Sequence, residues 1–460
     1  MRENILEHIR LQYVSRAEYI ETELRQSAQE GKDIDASIKQ EAEDILKEKG
    51  TVRGEDRALR LYERVRQMPV KADFPYREPE TLEEILELLP PCSPRAINKD
   101  VLKDKILGAW LGRAAGCLLG QPVECWTRDR ILGFLKETDN YPIQRYMSSD
   151  VSGDVRERYQ VADEPGAYGN PKISWINNIS CAPEDDDMNY TVMGMQILEN
   201  YGREFVPMDV AEFLTTNVPV FMTCTAERMA YKNIINGILP PETAAYGNPY
   251  REWLGGQIRV DAYAYVNPGN PREAARMAVK DASVTHTKNG IYASAFCAAL
   301  IAESAVCETP GEAIERAMHY IPQTSRLYSA LEEFLKLCGE TEDPEEMIAW
   351  IHKNYNEEDL HDWCHVIPND MIICLSLLYG GRDYTRVIGL AVEAGFDTDC
   401  NGATAGSAFG MMYGAEAIPD KWKTPLGGQL MTRIGCQGRV SFQELADRCI
   451  KLIDEPYVTL

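Results

Sequence analysis

The segment DKILGAWLGRAAGCLLG, residues 104–120, decides the fold, because Gly108, Gly112 and Gly116 recur in it every four residues. In a helix this spacing puts the three glycines on one face. Each glycine costs about 1 kcal/mol of helix stability relative to alanine. A chain that accepts this cost repeatedly obtains a smooth surface that another helix can approach closely. The pattern therefore predicts a helix packed tightly against a partner.

Two further segments are rich in small residues. NGATAGSAFGMMYGAEA, residues 401–417, carries Gly402, Gly406 and Gly410 at the same spacing. ASAFCAALIAESA, residues 293–305, is a third small-residue helix. The rest of the main body is also dominated by helical patterns. We therefore expect a compact all-α body with these three helices at its centre.

The 460-residue chain divides into an extension and a main domain. One predicted helix face of the extension consists of apolar residues at helical spacing: Leu6, Ile9, Tyr13, Ala17 and Ile20. Residues 69–98 are proline-rich and predict a connector with one short helix. We expect a helical N-terminal extension with its connector over residues 1–98 and a catalytic domain over 99–460. The extension is predicted to pack on the body or on another subunit, without contributing catalytic groups.

Composition excludes several classes of protein. The chain has no run of about 18 apolar residues and no apolar core of a signal peptide, so we expect a cytoplasmic protein without a membrane partner. Thirteen cysteines without a CxxC pair argue against a disulfide framework or a zinc site. The formal net charge of −24, without a cluster of Lys or Arg, opposes nucleic-acid binding. The sequence carries no signal for an oligomeric state.

Two long segments connect predicted helices, at residues 137–183 and 238–272. Loops of this length in a compact domain are usually binding loops or disordered. Their aromatic content favours binding; it comprises Tyr141, Tyr168, Trp175, Tyr246, Trp253 and Tyr263.

An acidic cluster stands at the start of a predicted helix in PEDDDMNYTVMGMQILENYG, residues 183–202. Glu184, Asp185, Asp186 and Asp187 precede a helical pattern of apolar residues. Capping and the helix dipole favour one or two acids at such a position. Four consecutive carboxylates repel one another, so they indicate either a solvated cap or a bound cation.

A second acidic cluster lies in GFDTDCNGATAG, residues 395–406, where Asp397 and Asp399 precede the glycine-rich helix. The string D-x-D-x-N-G resembles the start of an EF-hand loop, but its twelfth position would be Ala408 instead of a bidentate glutamate. Oxygen ligands without histidine or cysteine partners suit Mg²⁺ first and Mn²⁺ second. Two such clusters at helix N-termini predict a two-metal site at one end of the body.

Four segments in this order resemble the ADP-ribosylglycohydrolase family, which includes the dinitrogenase reductase-activating glycohydrolases. They are GAWLGRAAGCLLGQPVE at 108–124, EDDDMNYT at 184–191, SVTHTKNG at 283–290 and GFDTDCNGATAGSAFGMMYGAEAIPDKW at 395–422. Members of this family are compact all-α orthogonal bundles with two adjacent Mg²⁺ ions. They cleave the glycosidic bond between ADP-ribose and a protein side chain or small acceptor. The resemblance implies this fold and a Mg²⁺-dependent hydrolase activity here.

The resemblance also implies the residues of the site. The metal ligands would be Asp185, Asp186, Asp187, Asp397, Asp399 and Cys400. Glu124 would be the acid/base candidate or an anchor for a metal-bound water, with Asp186 as a second catalytic carboxylate. The substrate contacts would be Gly255, Gly256 and Asp261, in a stretch like the family's phosphate-binding loop, together with His286 and Asn289.

The chain departs from the family at several positions. Cys117 stands where the family has an aspartate, Met188 and Cys400 replace threonines, and Asp185 replaces Thr or Ser. Thiols and thioethers are poor Mg²⁺ ligands. Either a main-chain carbonyl or water replaces the lost hydroxyls, or one metal binds weakly, and Cys400 is alternatively a packing residue. These changes suggest a subgroup with its own substrate.

Two other functions are compatible with these residues. Because no basic clamp for a diphosphate is evident, one is a nucleoside or other ribosyl-N-glycoside hydrolase on the same fold. The other is a non-catalytic ADP-ribose-binding or structural protein, which loss of the acidic clusters would signal. The clusters keep five aspartates, so we expect an enzyme with a small or protein-linked ADP-ribosyl substrate.

Overall fold

Helices dominate the structure. A computed structural model describes residues 12–453 and 458–459 of the chain. Its α-helices are α1 (Ile20–Gln29), α2 (Ala36–Leu46), α3 (Val52–Arg66), α4 (Leu82–Leu88), α5 (Lys99–Gly120), α6 (Arg128–Glu137), α7 (Gly153–Arg158), α8 (Asp186–Tyr201), α9 (Pro207–Asn217), α10 (Thr225–Ile235), α11 (Glu242–Ala245), α12 (Asp261–Tyr265), α13 (Pro271–Ala282), α14 (Lys288–Ser304), α15 (Pro310–Ala317), α16 (Arg326–Cys338), α17 (Pro344–Asn354), α18 (Leu360–Cys364), α19 (Val366–Gly380), α20 (Tyr384–Glu393), α21 (Thr398–Tyr413), α22 (Asp420–Lys423) and α23 (Phe442–Lys451). This content confirms the predicted all-α class.

Short 3₁₀ turns and two small strand pairs complete the fold. The 3₁₀ turns are Gln121–Val123, Ala167–Gly169, Ile176–Asn178, Val220–Met222, Leu254–Arg259, Met318–Tyr320, Thr424–Leu426 and Ile434–Cys436. The strands are β1 (Ile97–Asn98), β2 (Gln429–Thr432), β3 (Gly438–Ser441) and β4 (Val458–Thr459). Strand β1 pairs in parallel with β4, and β2 pairs antiparallel with β3.

Helices α5 and α21 lie antiparallel in direct backbone contact. The facing pairs are Gly108 with Gly410, Gly112 with Gly406, and Gly116 with Gly402. A Cβ added at Gly112 would lie less than 3.0 Å from the carbonyl oxygen of Gly406, a separation that real side chains essentially never adopt. The close helix contact that the glycine spacing predicts is therefore present, and glycine is required for it.

The third small-residue helix, α14, runs through the core. All of its residues from Lys288 to Ser304 are buried. It packs against α13, α21 and α19. Because it carries five alanines together with glycine and serine, several helices can approach it at once, which places it at the centre of the body as expected.

The extension has a small core of its own, formed by apolar residues of α1, α2 and α3. Ala17 and Ile20 belong to this core, whereas Leu6 and Ile9 lie outside the described residues. The predicted first helix is not present at Tyr13, whose φ of 67° is incompatible with a right-handed helix. The chain turns there, and α1 begins only at Ile20.

Buried ion pairs fasten the extension to the body. Arg251 of the body lies 2.7 Å from Glu23 and 2.7 Å from Glu30, both on or next to α1. Arg326 of the body lies 2.8 Å from Glu78 of the connector. Removal of one member of such a buried pair typically costs about 3–5 kcal/mol, since the other charge loses its partner. The extension thus packs on the body; the domain boundary near residue 98 stays a prediction.

Within the described part of the chain, no helix is both long enough and apolar enough to cross a membrane. The thirteen cysteines, all of which lie in that part, are unpaired thiols. Their scattered spacing predicted this outcome.

The contact between α5 and α21 makes a direct prediction for stability. Gly112→Ala should lower the free energy of unfolding by about 1–3 kcal/mol or more, because the two helices must move apart to admit the methyl group. Urea denaturation measures the change. Gly311→Ala is the matched control, since a Cβ there would make only an ordinary contact of 3.6 Å with Leu378. That variant should be neutral or slightly stabilising, and equal effects of both substitutions would contradict the argument.

Candidate active site

The two acidic clusters meet where the C-terminal end of α5 approaches the N-terminal ends of α8 and α21. Asp185 is the N-cap of α8, and Asp397 immediately precedes α21. The C-terminal end of α5 closes the third side, because a Cβ at Gly120 would overlap the backbone of Thr398 and Asp399. The Thr398 hydroxyl also donates a hydrogen bond of 3.0 Å to the carbonyl oxygen of Gly120. The glycine contact between α5 and α21 therefore ends in the acidic site.

Carboxylates and thiols converge there in two groups that share Asp399. The ligand atoms of the first group lie within 4.8 Å of one another and belong to Cys117, Asp185, Asp187 and Asp399. The second group, with the same spacing, consists of Asp397, Asp399 and Cys400. Among the described residues Asp186 is in neither group; its carboxylate accepts a hydrogen bond from the Tyr168 hydroxyl. The structure thus brings five of the six predicted ligands together and adds Cys117.

Arg113 on α5 is a buried cation beside the first group. Its Nη2 lies 3.0 Å from Asp187 Oδ1, and its Nη1 lies 3.0 Å from Asp261 Oδ2. Within the described chain, the carboxylates of Asp185 and Asp399 have no cationic side chain as partner. The two groups therefore keep a net negative charge when their carboxyl groups are ionised.

Three buried carboxylate oxygens of the site have no hydrogen-bond partner among the described residues: Asp187 Oδ2, Asp397 Oδ1 and Asp399 Oδ1. A buried acceptor without a donor costs about 1–3 kcal/mol, and more when it is charged. Oxygen atoms of this kind are the preferred ligands of hard divalent cations. The residues therefore fit the divalent metal that the resemblance implies, with the thiols of Cys117 and Cys400 as the unusual members of the donor set.

Burial raises the pKa values of the clustered carboxyl groups. It raises the pKa of Asp186 to about 6 and that of Asp187 to about 7, although Arg113 favours the ionised form of Asp187. Burial, reinforced by the charge of Asp397, holds the pKa of Glu124 well above its usual range. The values of Asp186 and Asp187 allow proton exchange near neutral pH, which is the property that acid–base catalysis requires.

Glu124 and Asp186 face the opening of the site, because they alone among the clustered acids are partly exposed. Glu124 directly follows the 3₁₀ turn at the end of α5. A cavity of about 210 Å³ lies beside it, lined in part by Gln121, Glu124, Trp126, Asn170, Glu184 and Asp185. This cavity gives a ligand access to Glu124 and, at Glu184 and Asp185, to the first acidic cluster.

Strained backbone surrounds the same opening. Residues with positive φ near the site are Cys125 (64°), Tyr168 (50°), Thr225 (29°) and Phe396 (57°). Cys125 follows Glu124, and Phe396 precedes Asp397. Non-glycine residues adopt such angles at a cost of order 1–3 kcal/mol, and they persist where the surrounding structure holds them, often at functional sites. Their positions support the assignment of this region as the active site.

The predicted phosphate-binding stretch lies in the 3₁₀ turn Leu254–Arg259, where it is buried. A Cβ at Gly255 would overlap the Glu227 carboxylate. The Gly256 N–H donates a hydrogen bond of 3.2 Å to His286 Nε2. Burial keeps the pKa of His286 well below its usual value, so its imidazole is neutral. These polar groups already have protein partners, and their contact with a substrate stays a prediction.

The other two predicted substrate residues are also buried and paired. Asp261 is held by Arg113 behind the first metal group. Asn289 donates hydrogen bonds of 3.0 Å to Glu252 and 2.8 Å to Glu78, in the network that joins the connector to the body. Asp261 is thus linked to the acidic site through Arg113, whereas Asn289 belongs to a separate polar network. Their predicted role in substrate binding is likewise untested.

Sequence reasoning missed Arg113, and it named Tyr168 only as one of several aromatic residues that favour binding, without relating it to Asp186. Arg113 lies among the small residues of the helix that carries the glycines. A single charged residue in a segment predicted to be buried was the available signal. Tyr168 lies in a long irregular segment, where no periodicity relates it to Asp186. Only the three-dimensional structure shows that the two side chains meet.

The metal-free protein is expected to lose stability as the pH rises from about 5 to about 8. Unfolded aspartates titrate near pH 3.9, whereas Asp186 and Asp187 in the folded protein have pKa values of about 6 and about 7. Between these values the folded state binds more protons, so its free energy of unfolding falls as the pH rises. Melting curves in EDTA test this expectation. The decline should be smaller in Asp187→Asn, and a stability that rises over this interval would contradict it.

Comparison with known proteins agrees with the geometry. The sequence profile of the ADP-ribosylglycohydrolase family matches residues 98–458. A solved structure described as an ADP-ribosylglycohydrolase-related protein complex is similar at 22% identity, over 77% of this chain and 98% of that chain, with a TM-score of 0.43. No curated protein matches the sequence. The family match includes both acidic clusters, and the chain therefore belongs to the ADP-ribosylglycohydrolase family and is a hydrolase of the glycosidase class.

Proposed function

We propose that this chain is a Mg²⁺-dependent hydrolase that cleaves the bond between C1″ of ADP-ribose and a protein side chain or a small acceptor. Family membership supports the coarser statement, a glycohydrolase of ADP-ribosyl-type substrates. The observation that carries the finer proposal is the convergence of buried carboxylates at two helix N-termini, with oxygens that lack a protein partner.

Two groups of side chains would hold the cations. Asp185, Asp187 and Asp399 supply oxygens to one group, and Asp397, Asp399 and Cys400 form the other. When bound, Mg²⁺ or Mn²⁺ would orient the ribose hydroxyls and lower the pKa of a bound water. Divalent cations would also offset the repulsion between this acidic protein and an anionic diphosphate. Each group includes one thiol, Cys117 or Cys400, but the second has two carboxylates where the first has three. The second group would therefore be the weaker Mg²⁺ site, since Mg²⁺ prefers oxygen ligands.

Glu124 is the proposed acid/base residue. It is partly exposed at the cavity, and its raised pKa makes its carboxylate a stronger base than that of an ordinary glutamate. As water adds to C1″ and the glycosidic bond breaks, Glu124 accepts a proton from the water. Glu124 then passes this proton to the departing group and returns to its ionised form. Asp186, also at the opening, stabilises the positive charge that develops on the ribose ring. The hydrogen bond from Tyr168 fixes the orientation of its carboxylate.

Metal binding gives the first test. Saturating Mg²⁺ or Mn²⁺ should raise the melting temperature by mass action. Asp399→Asn should abolish most of this gain, because both groups include Asp399. Asp370→Asn is the control, since Asp370 is also buried but lies outside the two groups and accepts a hydrogen bond from the Cys297 thiol. This variant should keep the metal-induced gain. If the melting temperature of the wild-type protein does not change with Mg²⁺, Mn²⁺ or EDTA, the metal proposal is refuted.

Turnover gives the second test. With Mg²⁺, the protein should release ADP-ribose from ADP-ribosyl-arginine or from an ADP-ribosylated peptide, as chromatography would show. Glu124→Gln should lower kcat by about 10²–10⁴-fold while keeping the metal-induced rise in melting temperature. Release of ribose from nucleosides, without action on ADP-ribosyl conjugates, would establish the nucleoside hydrolase instead. A folded, metal-binding protein inactive on the whole panel would contradict the proposed substrate class.

A further inference from the structure

The first described residues of the extension lie against the body beside the acidic site, although they precede the segment that matches the family. Arg228 Nη1 donates a hydrogen bond of 3.0 Å to the carbonyl oxygen of Gln12. Lys232 Nζ donates one of 2.9 Å to the carbonyl oxygen of Val14. Two cationic side chains of α10 thus hold the carbonyls on either side of Tyr13. They fix the chain in the turn that its positive φ creates.

The ring of Tyr13 is held on more than one side. It packs edge-on against Tyr250 at a centroid distance of 5.7 Å and lies 5.8 Å from the ring of Tyr19. The guanidinium of Arg228 lies 5.9 Å from its centre. Part of the side chain remains exposed. Among the described residues, Tyr13 is therefore an aromatic group that is held by its neighbours and is still partly exposed.

A series of contacts connects the ring of Tyr13 with Asp186, one of the two proposed catalytic carboxylates. Cys224, one turn before Arg228, lies 3.7 Å from the Tyr168 hydroxyl, which is bonded to Asp186. Burial and then the nearby Cys224 and Glu124 raise the pKa of the Tyr13 hydroxyl well above its usual value. The Tyr13 hydroxyl is thus a hydrogen-bond donor in the neighbourhood of Cys224 and Glu124.

We infer that Tyr13 is a specificity-determining residue, through which the extension forms one wall of the substrate site. Its ring would pack against the ribosyl substrate and its hydroxyl would donate a hydrogen bond to it. Tyrosine suits this task, because it combines a large apolar face with a polar tip and loses little conformational entropy on binding. The inference rests on the proposed function. It assigns the extension a role in binding and leaves catalysis to the body.

The strained turn supports a binding role. A right-handed helix through Tyr13, as its apolar spacing predicts, would avoid the cost of a positive φ. The structure instead accepts that cost and holds the turn with Arg228 and Lys232. Strain of this kind is maintained by surrounding contacts and is common at ligand sites.

Kinetics on the full-length protein with saturating Mg²⁺ test the inference. Tyr13→Ala should raise KM for the ADP-ribosyl substrate, and Kd for ADP-ribose measured by calorimetry, by about tenfold. The value of kcat should change less than about threefold, because the carboxylates remain in place. Tyr13→Phe should recover part of the loss by restoring the ring. All variants should keep the metal-induced rise in melting temperature.

Tyr246→Ala is the matched control. Tyr246 is an aromatic residue at the same interface, 5.6 Å from the guanidinium of Arg16. Its segment suggested binding, but in the structure Tyr246 packs against the extension and is not part of the proposed site. It should leave KM and Kd unchanged. Equal losses in Tyr246→Ala and Tyr13→Ala would show a merely structural role and overturn the inference, as would unchanged values in a folded Tyr13→Ala. A wild-type protein that neither cleaves nor binds ADP-ribosyl ligands would overturn the proposed function and this inference with it.

Discussion

Helices α5 and α21 touch backbone to backbone, because glycines occupy the positions where a Cβ would collide. This contact sets the antiparallel register of the two helices, and the register sets the site. The end of α5 meets the start of α21, so Cys117 from one helix lies within ligand distance of Asp399 from the other. Ligand atoms that share a cation tolerate displacements of only tenths of an ångström. A wider separation of the two helices would therefore place these atoms too far apart to bind one cation.

The same contact concentrates negative charge. The acidic residues stand at helix N-termini, where the dipole favours them, but burial and mutual repulsion oppose their ionisation. Arg113 compensates one part of this charge by bridging Asp187 and Asp261. Three of the carboxylate oxygens have no hydrogen-bond partner among the described residues. An arrangement that is costly by itself and complementary to a cation is typical of a functional site rather than of a stabilising one.

The extension and the long segments show how a family fold acquires individual features. The segment 137–183 supplies Tyr168 to the site, but its Trp175 packs in the core against Trp126. In the segment 238–272, Trp253 and Tyr263 are fully buried. Aromatic content alone therefore did not separate binding residues from core residues. The buried pairs of Arg251 and Arg326 hold the extension against the body, where its first described residues, Gln12 and Val14, contact Arg228 and Lys232.

Some properties of this protein follow from the sequence by itself. The four-residue glycine spacing predicts a close helix pair, and the acids before two helical patterns predict carboxylates at helix N-termini. Both signals are local, because helix geometry relates residues a few positions apart. The fold class and family follow from such segments taken in order. The boundary of the first helix did not, since contacts of Gln12 and Val14 with distant cations outweigh local propensity at Tyr13.

Other properties were decided only by the tertiary structure. Arg113, Asp187 and Asp261 form one ion-pair system although 148 positions separate the first from the last along the chain. The partners of His286 and Asn289, the shared position of Asp399 and the contact of Tyr168 with Asp186 likewise depend on how the helices cross. Sequence spacing carries no record of such distances, because they arise from packing between elements that are independent along the chain.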